Sequence, residues 1–245
     1  MNKNVVVLDP AHGGPDAGAK LGDRLLEKDV TLALAARLRA ALAAAGFTVI
    51  STREADSLNP LTNDQRAEIA NRAHPLACLV IHATGTGSGV HLYVSALDPK
   101  DPPDAGTEAD AADRPAFEPT PWETAQAASV RQSLRLESDL SAALGTANLP
   151  VLTGRASVRP LDNMMCPAVA VEVAPLAVAG GDTTPIPMTD PGYQQRLADA
   201  LARSLQLWRG HAEPQTPRAA ATAGAAATAG AAASAGSDAK HGGAE

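Results

Sequence analysis

An α/β fold, a single domain with a mostly parallel central sheet flanked by helices, is what three features of the 245-residue chain predict. Short aliphatic runs alternate with longer segments of helical period, and the runs are apolar throughout, as befits strands covered on both faces. Aromatic residues make up only 2% of the chain, so the core must be packed from Ala, Leu and Val, a composition that suits helices laid on a sheet.

The run Val5 to Leu8 predicts a buried first strand. A helix follows over residues 28–45, where Val30, Leu34, Leu38 and Leu42 recur at helical spacing and Gly46 is placed to end it with a left-handed residue. Residues 47–51 read as a second strand. Thr62 or Asn63 can cap a short helix through Ala73, residues 77–82 form the next buried strand, and residues 89–95 another. Residues 98–119, rich in Pro and Asp and without apolar period, exceed most connections inside a compact domain and predict an exposed excursion or lid. Thr120, Pro121 and Glu123 then supply an N-cap, a first-turn proline and a capping acid for a helix to about Leu144. Residues 168–173 make a further strand. The last helix opens at Asp190 and Pro191, carries Leu197, Leu201 and Leu205 on one stripe and stops at Gly210. The expected organisation is one domain over residues 1–210 and a flexible Ala/Gly/Thr-rich tail over 211–245, which holds no large apolar residue.

A net charge of −7 disfavours nucleic acid and anionic lipid as partners, since both call for clustered Lys and Arg. No apolar run approaches the ~20 residues of a membrane span. Nor does a charged segment followed by an apolar one precede the first strand, which leaves two expectations open: a trimmed export leader, or a protein kept in the cytoplasm. Cys78 and Cys166 lack CxxC spacing and are expected to be two structural thiols rather than a disulfide.

Chemistry is suggested by polar residues at the ends of apolar runs. His12 and His82 each close one such run and Glu172 interrupts a third, positions that are costly unless the polar group is used. Two imidazoles with carboxylates nearby are what a catalytic zinc ion requires, and ligands of open α/β sheets bind beyond the carboxyl ends of the strands, where both histidines fall. Gly13 and Gly14 allow a sharp turn after His12, and Asp9 could orient an imidazole. Glu27, entering the first predicted helix at a position its dipole favours for an acid, is the best third ligand. Each reading has a plainer rival: a capped structural histidine, an ordinary first-turn acid, and a salt-bridged strand glutamate. His74 and His91 are taken as structural, His211 and His241 as tail residues, and Arg53 and Arg66 as braces that ion-pair across the sheet.

Taken together, "VVVLDPAHGGPDAGA", "LLEKDVTLALAARLRAAL", "VISTREAD", "RAEIAN", "LVIHA" and "CPAVAVEVAPL" occur in an order that resembles the zinc-dependent N-acetylmuramoyl-L-alanine amidases, over residues 4 to about 209. The resemblance implies zinc held by His12, Glu27 and His82, with Glu172 as catalytic acid or base. It further implies peptidoglycan or muropeptides as substrate and the periplasm or cell envelope as location, while the sequence leaves open whether a regulatory protein partner exists. Zinc would lower the pKa of a water toward ~7 and polarise the lactyl carbonyl while Glu172 takes the water's proton. Val171 and Val173 are expected to desolvate that glutamate. The chain departs from the family pattern at "ATGTGSG" after His82 and "APL" after Val173, both expected to line the groove. Two other classes compete: a non-catalytic peptidoglycan-binding module on the same frame, and a zinc peptidase or deacetylase acting on another amide.

Overall fold

Alternation along neighbouring strands sorts the side chains onto two unlike faces of one sheet, and that sorting decides where chemistry can sit. The computed structural model describes residues 1–99, 122–178 and 184–211. Six strands, β1 (Asn2–Pro10), β2 (Thr48–Ser51), β3 (Pro75–Ala83), β4 (Val90–Ser95), β5 (Val151–Ala156) and β6 (Ala168–Val173), lie in the order β2-β1-β3-β6-β4-β5. Every neighbouring pair is parallel except β4 with β6. The helices are α1 (Glu27–Ala44), α2 (Asn63–Ala73), α3 (Val130–Thr146) and α4 (Pro191–His211).

One face carries Leu8, Leu79, Ile81, Val169, Val171 and Leu92, which pack with leucines of α1, α3 and α4 into the main core. At roughly 1.5–3 kcal/mol per buried aliphatic side chain, this layer supplies most of the driving force for folding. The other face is thinner. There Val7, Cys78, Val80, Ala168 and Ala170 meet Ala67 and Ala70 of the short α2, together with Leu161 and Met164. Two residues further along β1, β3 and β6 the same face presents Asp9, His82 and Glu172, so an apolar patch passes into a polar row at the carboxyl end of the sheet.

Helix ends follow local chemistry. Thr62 caps α2 in a reciprocal capping box with Gln65, and His74 ends that helix in a left-handed conformation with φ 44°, a structural role. Gly46, φ +82°, follows α1 as expected. Two expectations need correction. Residues Trp122–Ala128 form a 3-10 helix with a break at Thr124, and α3 begins only at Val130. Buried Gln126 explains the interruption, because its side-chain amide donates to the carbonyls of Met164 at 2.8 Å and Cys166 at 3.0 Å and so ties this turn to the chain before β6. Strand β5 was not anticipated: it is an edge strand with Leu152 55% exposed, and it has no buried run to announce it.

Thr120, Pro121, nearly all of the segment 98–119 and the tail beyond residue 211 lie outside the described residues. The described residues fall within one compact unit, Met1–Glu213. Among them no helix is long and apolar enough to cross a membrane.

The two cysteines are bonded to each other, which corrects the expectation of separate thiols. Cys78 lies on β3 and Cys166 just before the adjacent β6, with Cα atoms 6.2 Å apart, although 88 residues separate them in sequence. A spacing so long carries no motif, and the pairing emerges only once the two strands are neighbours. Replacing both by alanine should lower stability by ~2–4 kcal/mol in urea unfolding, because the crosslink constrains a long loop of the unfolded chain. Reductant should shift the wild-type curve in the same direction and leave the double variant unmoved.

Candidate metal centre

His12, Glu27 and His82 converge at the carboxyl end of β1 and β3, each offering a ligand atom within 4.8 Å of the others. The bend that delivers His12 begins where β1 ends: His12 itself has φ +64° and Gly13 φ +131°. At Gly14 an added Cβ would sit 2.3 Å from the carbonyl oxygen of Ser57, so no side chain fits there. Two arginines hold the bend through its carbonyls. Arg53 donates to Pro10 and Ala11 at 2.8 and 2.9 Å, and Arg66 to Pro10 and His12 at 2.9 and 2.6 Å. Arg66 also pairs with fully buried Asp9 at 2.7 Å, as expected of a brace, whereas Arg53 works by hydrogen bonds to carbonyls. Asp9 accepts from Thr52 and Arg66 and touches neither imidazole, contrary to the orienting role expected of it.

The residue that does orient His12 is Asp16, whose Oδ2 lies 2.9 Å from Nδ1. Nε2 on the opposite side of that ring lies 3.1 Å from Oε2 of Glu27. Glu27, the first residue of α1, also accepts from His82 Nδ1 at 2.9 Å and from the backbone amides of Ala19 and Ala83 at 2.9 and 3.2 Å. Burial pushes this carboxyl up, but the hydrogen bonds from the two histidines and two amides outweigh it and hold it well below the usual carboxylate range. The hydrogen bond to Glu27 likewise raises His12, against the lowering effect of burial and with help from Asp16. Gly18 closes the nest: a Cβ there would lie 2.6 Å from His12 Cδ2 and 2.7 Å from Glu27 Oε2.

This cluster fits a divalent cation. A carboxylate and two imidazoles are a catalytic zinc donor set, and Asp16 holds one ring nitrogen of His12 so that the other is presented inward. His82 Nε2 is buried with no hydrogen-bond partner among the described residues. A cleft of about 160 Å³ opens beside the cluster, lined by His12, Asp16, His82, Leu61, Arg66 and Arg159 among others.

Glu172 stands directly across from His82 in the parallel β3–β6 pairing, outside the three-residue cluster. Val171 and Val173 do not desolvate it, since they turn into the main core while its side chain points to the other face and is 29% exposed. Its Oε2 lies 2.9 Å from Nδ1 of His91. Three residues that touch these side chains were not assigned to the site from sequence: Asp16, Gly18 and His91, the last read as structural. For Asp16 the clue was its i+4 spacing from His12, and for His91 only the antiparallel pairing of β4 could have shown it.

Residues 6–206 match the N-acetylmuramoyl-L-alanine amidase family. The chain is 53% identical over 57 residues to the germination-specific N-acetylmuramoyl-L-alanine amidase of Bacillus subtilis, a match covering 23% of this chain and 24% of that one. It thus spans about a quarter of the length of that curated relative. In fold it is similar to the N-acetylmuramoyl-L-alanine amidase AmiC2 of Nostoc punctiforme, with TM-score 0.57 and 24% identity over 84% of this chain and 97% of that one. It is similar also to the CwlD amidase of Clostridioides difficile, solved in complex with the GerS lipoprotein, with TM-score 0.54 and 20% identity over 85% and 99%.

Two outcomes follow for the cluster. Asp16→Asn should weaken zinc affinity about 10- to 100-fold in a chelator-competition titration, as loss of a group that orients a ligand does. In metal-free protein, raised His12 contributes stability that is fully present below its unfolded value of 6.5 and is lost as pH rises through its higher folded value. Thermal unfolding should therefore show the metal-free chain losing stability as pH rises above 6.5, and Glu27→Gln should flatten that slope.

Proposed function

The chain belongs to the N-acetylmuramoyl-L-alanine amidase family, and from that premise we propose that it hydrolyses the amide joining the lactyl group of N-acetylmuramic acid to the L-alanine of the peptidoglycan stem peptide, with zinc held by His12, Glu27 and His82 and with Glu172 as the proton-transfer group. The observation that carries the reading is the convergence of those three donor atoms within 4.8 Å at the edge of the sheet where Glu172 also emerges.

Zinc bound there would supply Lewis acidity, polarising the scissile carbonyl and making an attacking water more acidic. The chain's own residues do the rest. His12 and His82 are fixed by Glu27 and Asp16, so the donors are organised before substrate arrives. Glu172 removes the proton from the attacking water and returns it to the nitrogen of the departing L-alanine, for which its partial exposure on the cleft side of the sheet is suited. Muropeptides would lie along the cleft beside Leu61, Arg66 and Arg159.

For location we propose the periplasm or cell envelope, where such a substrate resides. The buried Cys78–Cys166 bond supports this, because reducing cytosol rarely retains structural disulfides. Residues 1–210 are the proposed catalytic domain, with the Ala/Gly/Thr-rich remainder as its tail. A regulatory protein partner is proposed by likeness to CwlD with GerS.

Purified chain with zinc, incubated with sacculi, should release free stem peptides that carry an L-alanine amino terminus. Release of shorter peptides or of acetate would instead favour a peptidase or deacetylase, and tight binding without release a wall-binding module. Glu172→Gln should lower turnover by about 10²- to 10⁴-fold while retaining zinc, as elemental analysis would record.

A further inference from the structure

The reading of Glu172 as the proton-transfer group leaves unanswered what holds a three-torsion side chain, 29% exposed at the carboxyl end of an interior strand, in one orientation. His91 faces it from the neighbouring strand: β4 is antiparallel to β6, and the two residues are directly paired. Their side chains meet at 2.9 Å, His91 Nδ1 to Glu172 Oε2. A carboxylate, when ionised, can only accept, and this contact then requires the ring to donate from Nδ1.

The imidazole itself is confined. His91 is 8% exposed, and the backbone of Gly87, at φ +79°, lies against the ring so closely that a Cβ there would stand 2.8 Å from Cε1 and 2.9 Å from Nε2. The Tyr93 ring flanks it edge-on, with centroids 6.5 Å apart. One oxygen of Glu172 is thereby engaged, while Oε1 accepts no hydrogen bond among the described residues.

We infer that His91 is a positioning residue for hydrolysis: it clamps Oε2 of Glu172 and leaves Oε1 as the oxygen that takes up and returns the proton. This rests on the amidase reading of the site. The clamp removes rotamer freedom that would otherwise be lost on reaching the reactive geometry. It holds because the imidazole is wedged between Gly87 and Tyr93 and cannot follow the carboxylate into another rotamer.

The test compares wild type, His91→Leu and His91→Asn, each loaded with zinc, on a synthetic N-acetylmuramoyl-L-alanyl peptide. Leucine fills the space without a donor, whereas asparagine places an N–H near the Nδ1 position. His91→Leu should lower kcat about 10- to 100-fold with KM and zinc stoichiometry unchanged, and His91→Asn should recover most of the loss. Equal impairment of the two variants, or wild-type kcat in His91→Leu, would overturn the inference while leaving an active wild type to uphold the amidase reading. An inactive wild type would bring down both. A second measurement needs no variant to fold: long-range ¹H–¹⁵N spectra of the metal-free wild type should show His91 protonated on Nδ1, and a ring protonated on Nε2 alone would refute the clamp.

Discussion

The architecture turns on one buried carboxylate. Glu27 is only 7% exposed at its side chain, a position that would be prohibitive for an anion without donors around it. Two imidazoles and two backbone amides surround it, and its place in the first turn of α1 adds the favourable end of the helix dipole. Those donors come from the bend after β1, the segment entering α1 and the end of β3. Distant stretches of chain are thus drawn to one side chain, and the convergence of His12, Glu27 and His82 is a by-product of satisfying it.

The rest of the centre follows from unequal cover on the sheet. Three helices bury the main face, but α2 has eleven residues, lays its alanines on the apolar portion of the other and reaches the polar row only through Arg66. Beyond it, alternation in β1, β3 and β6 has nothing hydrophobic to meet, so polar side chains can stand there without displacing core contacts. Parallel strands end on the same side, which brings His82 and Glu172 level with each other. Reversal of β4 then presents the beginning of that strand, with His91, at the same edge.

Much of this was legible from residues alone. Aliphatic runs located β1, β3, β4 and β6, the leucine stripes located α1 and α4, and the polar interruptions at His12, His82 and Glu172 marked the edge where they gather. Part of what escaped notice depended on which strand neighbours which. Half-exposed β5 has no periodicity of its own. Cys78 and Cys166 lack motif spacing, so their bond could be seen only from the β3–β6 adjacency. His91 looked like an ordinary strand residue because nothing in its own segment says that β4 runs backwards beside Glu172. Asp9 was misjudged for a different reason, since its competition for Arg66 and Thr52 is settled in three dimensions.

The crosslink joins Cys78 on β3 to Cys166 just before β6, the two strands that later carry His82 and Glu172. Because side chains alternate, sliding one of those strands by a single position would drive an imidazole or a carboxylate into the leucine layer and expose valine in its place. A covalent link a few residues upstream makes that slide geometrically unavailable. Oxidation therefore acts as an alignment mark for the two strands on which His82 and Glu172 stand.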